Sequence, residues 1–186
     1  MKIDLHSHSF YSDGVLSPSE VVRLASQAGC ELFSLTDHDT TEGSAEAKLE
    51  ADKLNLSLIN GVEISAFWRN MAIHILGLGI DINNDILQTG LEHNQKLRKE
   101  RAEKIALGLW RSGIKDALEK TQSFSKTDML TRTHFAQMLI SEGYCKDMKA
   151  VFRRYLTGKK PGGVSVEWKG FDCLLYTSDA ADERLR

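Results

Sequence analysis

Residues 1–14, MKIDLHSHSFYSDG, decide how the rest of the chain is interpreted, because a run of alternating apolar and polar residues leads directly into two histidines. Side chains alternate between the two faces of a strand, so a strand here would place His6 and His8 on one face and Ile3 and Leu5 on the other. Two imidazoles aimed at one point are typical of a shared metal ion. Taken alone, the pair is more typical of surface histidines near a chain terminus.

Residue types that bind metals recur where other predicted strands end. Strands are predicted over residues 31–36 and 56–65, and helices over residues 18–28 and 41–54, the first of them capped by Ser17. This alternation of strand and helix predicts parallel βαβ units. Functional groups gather at the C-terminal ends of strands in such folds. We therefore expect one site, formed by His6, His8, His38 and Glu63, with Asp13 in the loop after the first strand.

A predicted hairpin adds one more histidine to this site. A turn over residues 66–70 followed by a strand over residues 71–80 would bring His74 near Glu63. His74 has apolar neighbours on both sides, which is also typical of a hydrogen-bonded core histidine. Glu63 would be costly to bury without a cation. A metal ion between the two side chains would explain both.

Composition indicates a globular protein. The chain has 186 residues, 41% of them hydrophobic and 27% charged, and it has no apolar run near the roughly 20 residues that cross a bilayer. The first residues do not resemble a signal peptide, so we expect a cytoplasmic protein. The chain has three widely spaced cysteines, Cys30, Cys145 and Cys173. This spacing favours reduced thiols over disulfides or a zinc knuckle.

Charge and periodicity divide the chain into segments. Residues 1–95 contain 5 Lys/Arg and 14 Asp/Glu, a net charge of −9, whereas residues 96–169 contain 17 and 8, a net charge of +9. We expect residues 96–160 to be a basic helical insertion that suits phosphates, although solvated helix faces would have the same composition. Its expected helices include 127–143 and 148–158. Residues 161–172, with a possible strand at 164–168, would return to the main domain, and residues 173–186 resemble a non-native tail.

Five motifs together resemble the PHP (polymerase and histidinol phosphatase) family. They are His6-Ser7-His8, Asp13-Gly14, Thr36-Asp37-His38-Asp39, Gly61-Val62-Glu63 and His74-Ile75-Leu76-Gly77. Within the family, the segment around Thr131-Arg132-Thr133-His134 looks most like the nucleoside 3′,5′-bisphosphate phosphatases and the 5′ to 3′ exoribonucleases of short RNA. The resemblance covers residues 1–172. It implies an α/β fold, the first part of a distorted (β/α)7 barrel, and a site for two or three Mn, Fe or Zn ions.

The resemblance also implies a role for each matching residue. His6 and His8 would hold one metal ion, Glu63 would bridge it to a second ion held by His74, and Asp13 with His38 would bind a third. Glu63 and His38 would be catalytic. Asp37 and Asp39 would orient ligand imidazoles, although Asp39 could equally cap the next helix. Arg132 and His134 would grip a second phosphate, although salt bridges within the insertion are an equal alternative for them.

The chain departs from the family pattern in its later ligands. Family members have three more, a His in a His-Pro-Gly-Arg-like stretch and an Asp and a His in a Ser-Asp-x-His stretch. The chain has six histidines, at positions 6, 8, 38, 74, 93 and 134, and Ala181 stands where the last motif needs one. We therefore expect a truncated chain with an exposed sheet edge and little or no phosphatase activity.

The function expected from the sequence is hydrolysis of phosphate esters at nucleotides or at the 5′ ends of short oligonucleotides. No membrane and no protein partner is implied. The enzymatic alternatives are a histidinol-phosphate phosphatase and a polymerase-associated exonuclease, and the alternative outside enzymes is a module that binds metal or nucleic acid. The basic insertion favours the nucleotide substrate over histidinol phosphate.

Overall fold

The computed structural model describes residues 1–69 and 71–168. The described chain divides into two compact units: the first comprises Met1–Gln95 with Glu167 and Trp168, and the second comprises Lys96–Val166. Among the described residues, no helix combines the length and the apolar character needed to cross a bilayer.

A short parallel sheet forms the start of the first unit. Three strands alternate with two helices in the order β1, α1, β2, α2, β3, and the sheet order is the same as the chain order. The bounds are β1 Ile3–Asp4, α1 Pro18–Gln27, β2 Leu32–Phe33, α2 Ser44–Lys53 and β3 Ser57–Leu58. The parallel βαβ units expected from the sequence are therefore present.

The first strand is much shorter than expected. β1 ends at Asp4, so the prediction that His6 and His8 project from one face of a strand is wrong. Beyond Asp4 the chain still runs beside the segment that follows β2, because the Thr36 N–H donates to the Ser7 carbonyl at 2.9 Å. The return bond is made by a side chain: the Ser7 N–H donates to Thr36 Oγ1 at 3.2 Å. The regular ladder has already ended before Ser7, because the His6 N–H donates to Asp4 Oδ1 at 3.3 Å and the Ser34 carbonyl accepts from Ser7 Oγ at 3.0 Å.

A second, antiparallel sheet follows in the first unit. It consists of β4 (Gly61–Trp68) and β5 (Met71–Leu78). The predicted strand over residues 56–65 is thus split between β3 and β4, and the predicted turn lies too early, because β4 continues to Trp68. Arg69 forms the described part of the turn with a positive φ of 46°, and Asn70 lies outside the described residues.

Two apolar clusters hold the first unit together. Helices α1 and α2 cover the parallel sheet, and α1 begins with the expected capping box between Ser17 and Glu20. The buried residues of this cluster are Val22, Phe33, Leu35, Ala47, Ala51 and Leu56. β4 packs instead on the start of helix α3 (Asp85–Arg111), through a cluster of Val62, Ile64, Leu87 and Leu91.

The second unit is helical. After the part of α3 that it contains, it comprises α4 (Ala117–Gln122), α5 (Arg132–Ser141), α6 (Met148–Val151) and a π-helical turn at Phe152–Leu156. Helix α4 was not predicted, and α5 begins five residues later than residue 127, where the helix was expected to start. The buried core includes Ile105, Leu109, Phe135, Met138, Leu139 and Val151.

The end of the described chain differs from expectation. Residues 164–168 form no strand. The remainder of the segment expected to return to the main domain, and the expected tail at residues 173–186, lie outside the described residues. The described strands form a mixed α/β arrangement without a closed barrel.

Because of an ion pair between α1 and α2, we expect the stability of the fold to depend on pH. Arg23 Nε lies 2.6 Å from Glu50 Oε1, and Lys53 Nζ lies 3.0 Å from Oε2. Bonds to Arg23 and then Lys53 lower the pKa of the nearly buried Glu50 below 4.5. A lowered carboxyl pKa stabilises the fold above the unfolded-state pKa, and this stabilisation is lost as pH falls through the folded-state value. We expect Glu50→Gln to lower the free energy of unfolding at pH 7. This loss should become progressively smaller below about pH 4.5.

Urea unfolding of both proteins across this pH range measures the effect. Asp52→Asn, which removes an exposed carboxylate from the same helix, is the matched control and should have a smaller effect at pH 7. A Glu50→Gln penalty that did not change with pH would contradict the assignment.

Candidate metal centre

The centre of the site is the carboxylate of Glu63, which is only 8% exposed and is surrounded by imidazole nitrogens. Four histidines face it from three segments of the first unit. The nitrogens nearest Glu63 Oε2 are His6 Nε2 at 2.9 Å, His8 Nε2 at 3.1 Å and His38 Nδ1 at 3.4 Å, and Oε1 lies 3.0 Å from His74 Nδ1.

Backbone pairing explains how these segments meet. The Glu63 N–H donates to the Asp37 carbonyl at 3.1 Å, and the Asp39 N–H donates to the Glu63 carbonyl at 2.9 Å, so a parallel bridge aligns His38 with Glu63. On the other side, β5 places His74 opposite Ser65. Glu63 and His74 are therefore diagonal neighbours on one face of the hairpin, as the sequence predicted.

Asp13 approaches from the loop after β1. Its Oδ1 lies 3.8 Å from His8 Nδ1 and 3.9 Å from His38 Nε2. Gly14 makes this path possible, because a Cβ at position 14 would lie 2.4 Å from the carbonyl oxygen of His8. The loop is closed by the Gly14 N–H, which donates to the Ser9 carbonyl at 2.9 Å. All six residues expected to bind metal are thus brought together.

The donor atoms form three overlapping groups. Within each group the ligand atoms lie no more than 4.8 Å apart, and the groups are His6/His8/Glu63, His8/Asp13/His38 and His38/Glu63/His74. Ligands about 2.1 Å from one ion lie about 3.0–3.4 Å from each other, close to the spacings around Glu63. Imidazole and carboxylate ligands suit Zn, Fe and Mn ions. The donor set therefore fits divalent metal ions, with His8, His38 and Glu63 each in two groups.

Asp37 bonds to serines. Its carboxylate accepts from the Ser9 N–H at 2.7 Å, from Ser9 Oγ at 2.6 Å and from Ser12 Oγ at 2.6 Å. Burial raises the pKa of Asp37 although these hydrogen bonds oppose the shift. Ser12 Oγ in turn lies 3.3 Å from His8 Nδ1. Asp37 is therefore linked to a histidine through a hydroxyl.

Asp39, on the other side of His38, also forms hydrogen bonds to a serine through its carboxylate. It accepts from the Ser65 N–H and from Ser65 Oγ, both at 2.7 Å, and from Asn94 Nδ2 at 2.8 Å. These bonds hold Asp39 at a φ of 51°, which few residues adopt. The N-cap of α2 is Gly43, so the alternative of Asp39 as a helix cap is wrong.

Sequence reasoning did not find the partners of Asp37 and Asp39. Ser9, Ser12 and Ser65 are essentially fully buried, and Asn94 is 2% exposed. Only the position of the serines in the sequence could have indicated them, because each lies one or two residues from a residue expected to bind metal. Asn94 carries no such signal, because it lies in a helix far along the chain.

The two residues expected to bind phosphate lie at the start of α5 in the second unit. His134 is buried, and its Nδ1 accepts from the Thr131 N–H at 3.2 Å, so it completes the capping box of this helix. The Arg132 guanidinium lies 5.9 Å from the centre of the Phe152 ring. Burial, and then the nearby Arg98 charge, lower the pKa of Arg132. Their role toward phosphate stays a prediction.

The chain is similar to known proteins over most of its length. Residues 4–168 match the PHP domain. The chain belongs to the PHP domain family. A relative named 3′,5′-nucleoside bisphosphate phosphatase from Chromobacterium violaceum is 42% identical over 171 residues, 91% of this chain and 60% of that protein. The 5′-3′ exoribonuclease Rnm of Escherichia coli is 41% identical over 167 residues, 89% of this chain and 57% of that protein.

Solved structures show the same PHP fold. One from Chromobacterium violaceum, described as an amidohydrolase with bound sulfate and no metal, is 40% identical with a TM-score of 0.93 and covers 98% of this chain and 64% of that chain. Another, from Bifidobacterium adolescentis, shares the fold at 22% identity, with a TM-score of 0.89. The present chain spans about three fifths of the length of its curated PHP relatives.

Metal binding should stabilise the fold through Glu63. A ligand present at 100 times its dissociation constant adds about 2.7 kcal/mol, which corresponds to a rise in Tm of about 5–10 °C for a protein of this size. We expect Mn²⁺ to raise the Tm by about this amount, and Glu63→Gln to remove most of the rise because the amide is a poorer ligand. Thermal unfolding with and without Mn²⁺ measures both, with Asp52→Asn as the control that keeps the full shift. An equal shift in Glu63→Gln would exclude Glu63 as a ligand.

Proposed function

We propose that this protein hydrolyses phosphate esters with the aid of two or three divalent metal ions of the Mn, Fe or Zn type, acting on nucleoside 3′,5′-bisphosphates or on the 5′ ends of short RNA. The observation that carries the proposal is the Glu63 carboxylate, which is nearly buried and faces four imidazoles. Buried carboxylates need cationic partners. Six metal-ligand side chains around one point are more than a structural ion pair requires.

The proposed roles follow from the contacts. Glu63 presents one oxygen to His6, His8 and His38 and the other to His74, so it would bridge two ions. His8, Asp13 and His38 would form the third position. Bound divalent ions supply activated water and neutralise charge on phosphate oxygens. The protein's own contribution is to hold these ligands in a fixed arrangement.

The substrate class rests on the relatives and on charge. The relatives named above are a nucleoside bisphosphate phosphatase and an exoribonuclease, and sulfate is bound in the related structure from Chromobacterium violaceum. Residues 96–169 carry a net charge of +9, which suits a polyanionic substrate. This charge gives no reason to prefer histidinol phosphate as the substrate. The alternative to an enzyme is a module that binds metal without catalysing a reaction.

Phosphate release from adenosine 3′,5′-bisphosphate tests the proposed reaction. The 186-residue chain and its Glu63→Gln variant should be assayed with Mn²⁺ and with EDTA. We expect slow release, as the sequence indicates for this chain, that requires Mn²⁺ and falls by about 10–100-fold in the variant, because loss of a bridging ligand weakens the binding of the ions. Even a slow rate reports this chemistry. Mn²⁺ binding without any release would favour the binding module, and faster release from histidinol phosphate would favour that substrate.

A second assay tests the phosphate role of Arg132. We expect Arg132→Ala to raise KM for a nucleoside 3′,5′-bisphosphate by about tenfold and to change KM for a 5′-monophosphate much less, because a guanidinium fork pairs with phosphate oxygens. The control is Arg111→Ala, which removes an exposed arginine from the same basic unit. Equal effects on both substrates would leave Arg132 with a structural role only.

A further inference from the structure

Asn94, in helix α3, lies beside both segments that meet at the candidate metal centre. It is 2% exposed, and its side-chain nitrogen Nδ2 lies 2.8 Å from Asp39 Oδ1 and 2.8 Å from the Ser65 carbonyl oxygen. Asp39 follows His38 directly, and Ser65 is two residues from Glu63 on the same face of β4. One amide group therefore contacts the segment that carries His38 and the strand that carries Glu63.

The two acceptors determine how this amide is oriented. A backbone carbonyl can only accept, and Asp39 Oδ1 already accepts from the Ser65 N–H at 2.7 Å. Only the NH₂ group of Asn94 can donate to both oxygens, and it has one proton for each. Asn94 Oδ1 has no hydrogen-bond partner among the residues that the structure describes. Asn94 therefore acts through its two donors, and both of them join Asp39 to Ser65.

Helix α3 gives Asn94 an anchored position. The start of α3 packs on β4 through the apolar cluster described above. Asn94 lies one turn beyond Leu91, the last α3 residue of that cluster, on the same face of the helix. The next residue, Gln95, donates from Nε2 to the Asp39 carbonyl at 2.9 Å. Asp39 is therefore held by two successive residues of a helix that is itself packed on the strand of Glu63.

Loss of Asn94 would affect the position of His38 more than that of Glu63. β4 is paired with β5 along its whole length, whereas residues 37–39 belong to no strand and meet β4 in a single bridge between His38 and Glu63. The Asp39 carboxylate carries much of this junction, because it binds both Ser65 and Asn94. Without the amide, His38 is the ligand that becomes free to move.

We propose that Asn94 is a positioning residue that fixes His38 relative to Glu63, and that the metal positions which include His38 depend on it. Two of the three donor groups include His38, and the group of His6, His8 and Glu63 does not. The part of this inference that concerns metal ions rests on the function proposed above. Supporting contacts behind a ligand commonly change metal affinity by 10–100-fold.

Hydrogen exchange of the EDTA-treated chain tests the positioning role without metal. The Asp39 N–H and the Glu63 N–H make the backbone bonds between the two segments, so their exchange, followed in ¹H–¹⁵N spectra, reports how firmly the segments are joined. We expect both amides to exchange about tenfold faster or more in Asn94→Leu, which has a similar volume but no donor, and in Asn94→Ala. Unchanged exchange in the folded variants would overturn the proposal.

Gln88→Ala is the matched control. Gln88 also lies in α3, and its amide donates to Thr41 Oγ1 at 3.0 Å and to the Ile82 carbonyl at 2.6 Å. The variant removes an amide from the same helix and keeps the donors to Asp39, so exchange should stay within about twofold of wild type. An equal acceleration in Gln88→Ala would overturn the proposal. Loss of the folded near-ultraviolet circular dichroism in both Asn94 variants, with Gln88→Ala folded, would also overturn it and make the contact structural.

Mn²⁺ binding, measured by the electron paramagnetic resonance of free Mn²⁺, gives the second readout. We expect Asn94→Leu to weaken one class of sites by about tenfold or more and to leave another within about threefold, because one donor group does not include His38. Weakening of every site to the same extent, or of none, would overturn the step from His38 to the metal. If wild type binds no Mn²⁺, the proposed metal centre fails and that step fails with it, whereas the exchange result still decides whether Asn94 joins the two segments.

Discussion

The rest of the site depends on the problem of placing Glu63 away from water. A carboxylate that is only 8% exposed, beside the nitrogens of four histidines, is costly unless positive charge balances it. One protonated imidazole would be enough to balance that charge, but it would not account for four imidazoles converging on the same carboxylate. Divalent ions among the same atoms would satisfy both carboxylate oxygens and the facing nitrogens. Each other feature of the site can be understood as fixing the positions of these donors.

Loops held by hydrogen bonds position the donor side chains around Glu63. The parallel strands are only two residues long, and the donor-bearing segments begin where they end. His38 stands between two buried aspartates, each of which accepts from the N–H and the hydroxyl of one serine. Asp37 thereby binds the loop that carries His8 and Asp13, and Asp39 binds the strand that carries Glu63. Residues 36–40 therefore connect the loop that carries His8 and Asp13 to the strand that carries Glu63, and they contribute His38 themselves.

Much of the site followed from the sequence because the chemistry is encoded locally. The spacing of His6 and His8, the Asp-His-Asp triplet and a carboxylate between Val62 and Ile64 all indicated convergence, and the expected hairpin does bring His74 to Glu63. The strand expected through His8 ends at Asp4, where the side chains of Asp4 and Ser7 replace backbone partners, which periodicity cannot reveal.

Other features depend on contacts distant in sequence and could not be predicted. Asn94 reaches Asp39 from 55 residues away, and no local pattern indicates it. The prediction that His134 and Arg132 bind phosphate rests on residue type and on a position near a helix start. The structure shows that His134 also caps that helix, a role that any residue able to accept from Thr131 could share. Residue type therefore indicated the convergence of side chains on Glu63, whereas it could not indicate the helix-capping contact of His134.

Anomalous diffraction from crystals grown with Mn²⁺ tests the central claim most directly. We expect peaks at the manganese absorption edge about 2 Å from the Glu63 carboxylate oxygens and from facing histidine nitrogens. We also expect Glu63 to contact more than one peak, since its two oxygens face different histidines. Well-ordered crystals without an anomalous peak within about 4 Å of Glu63, roughly twice a ligand bond, would contradict it.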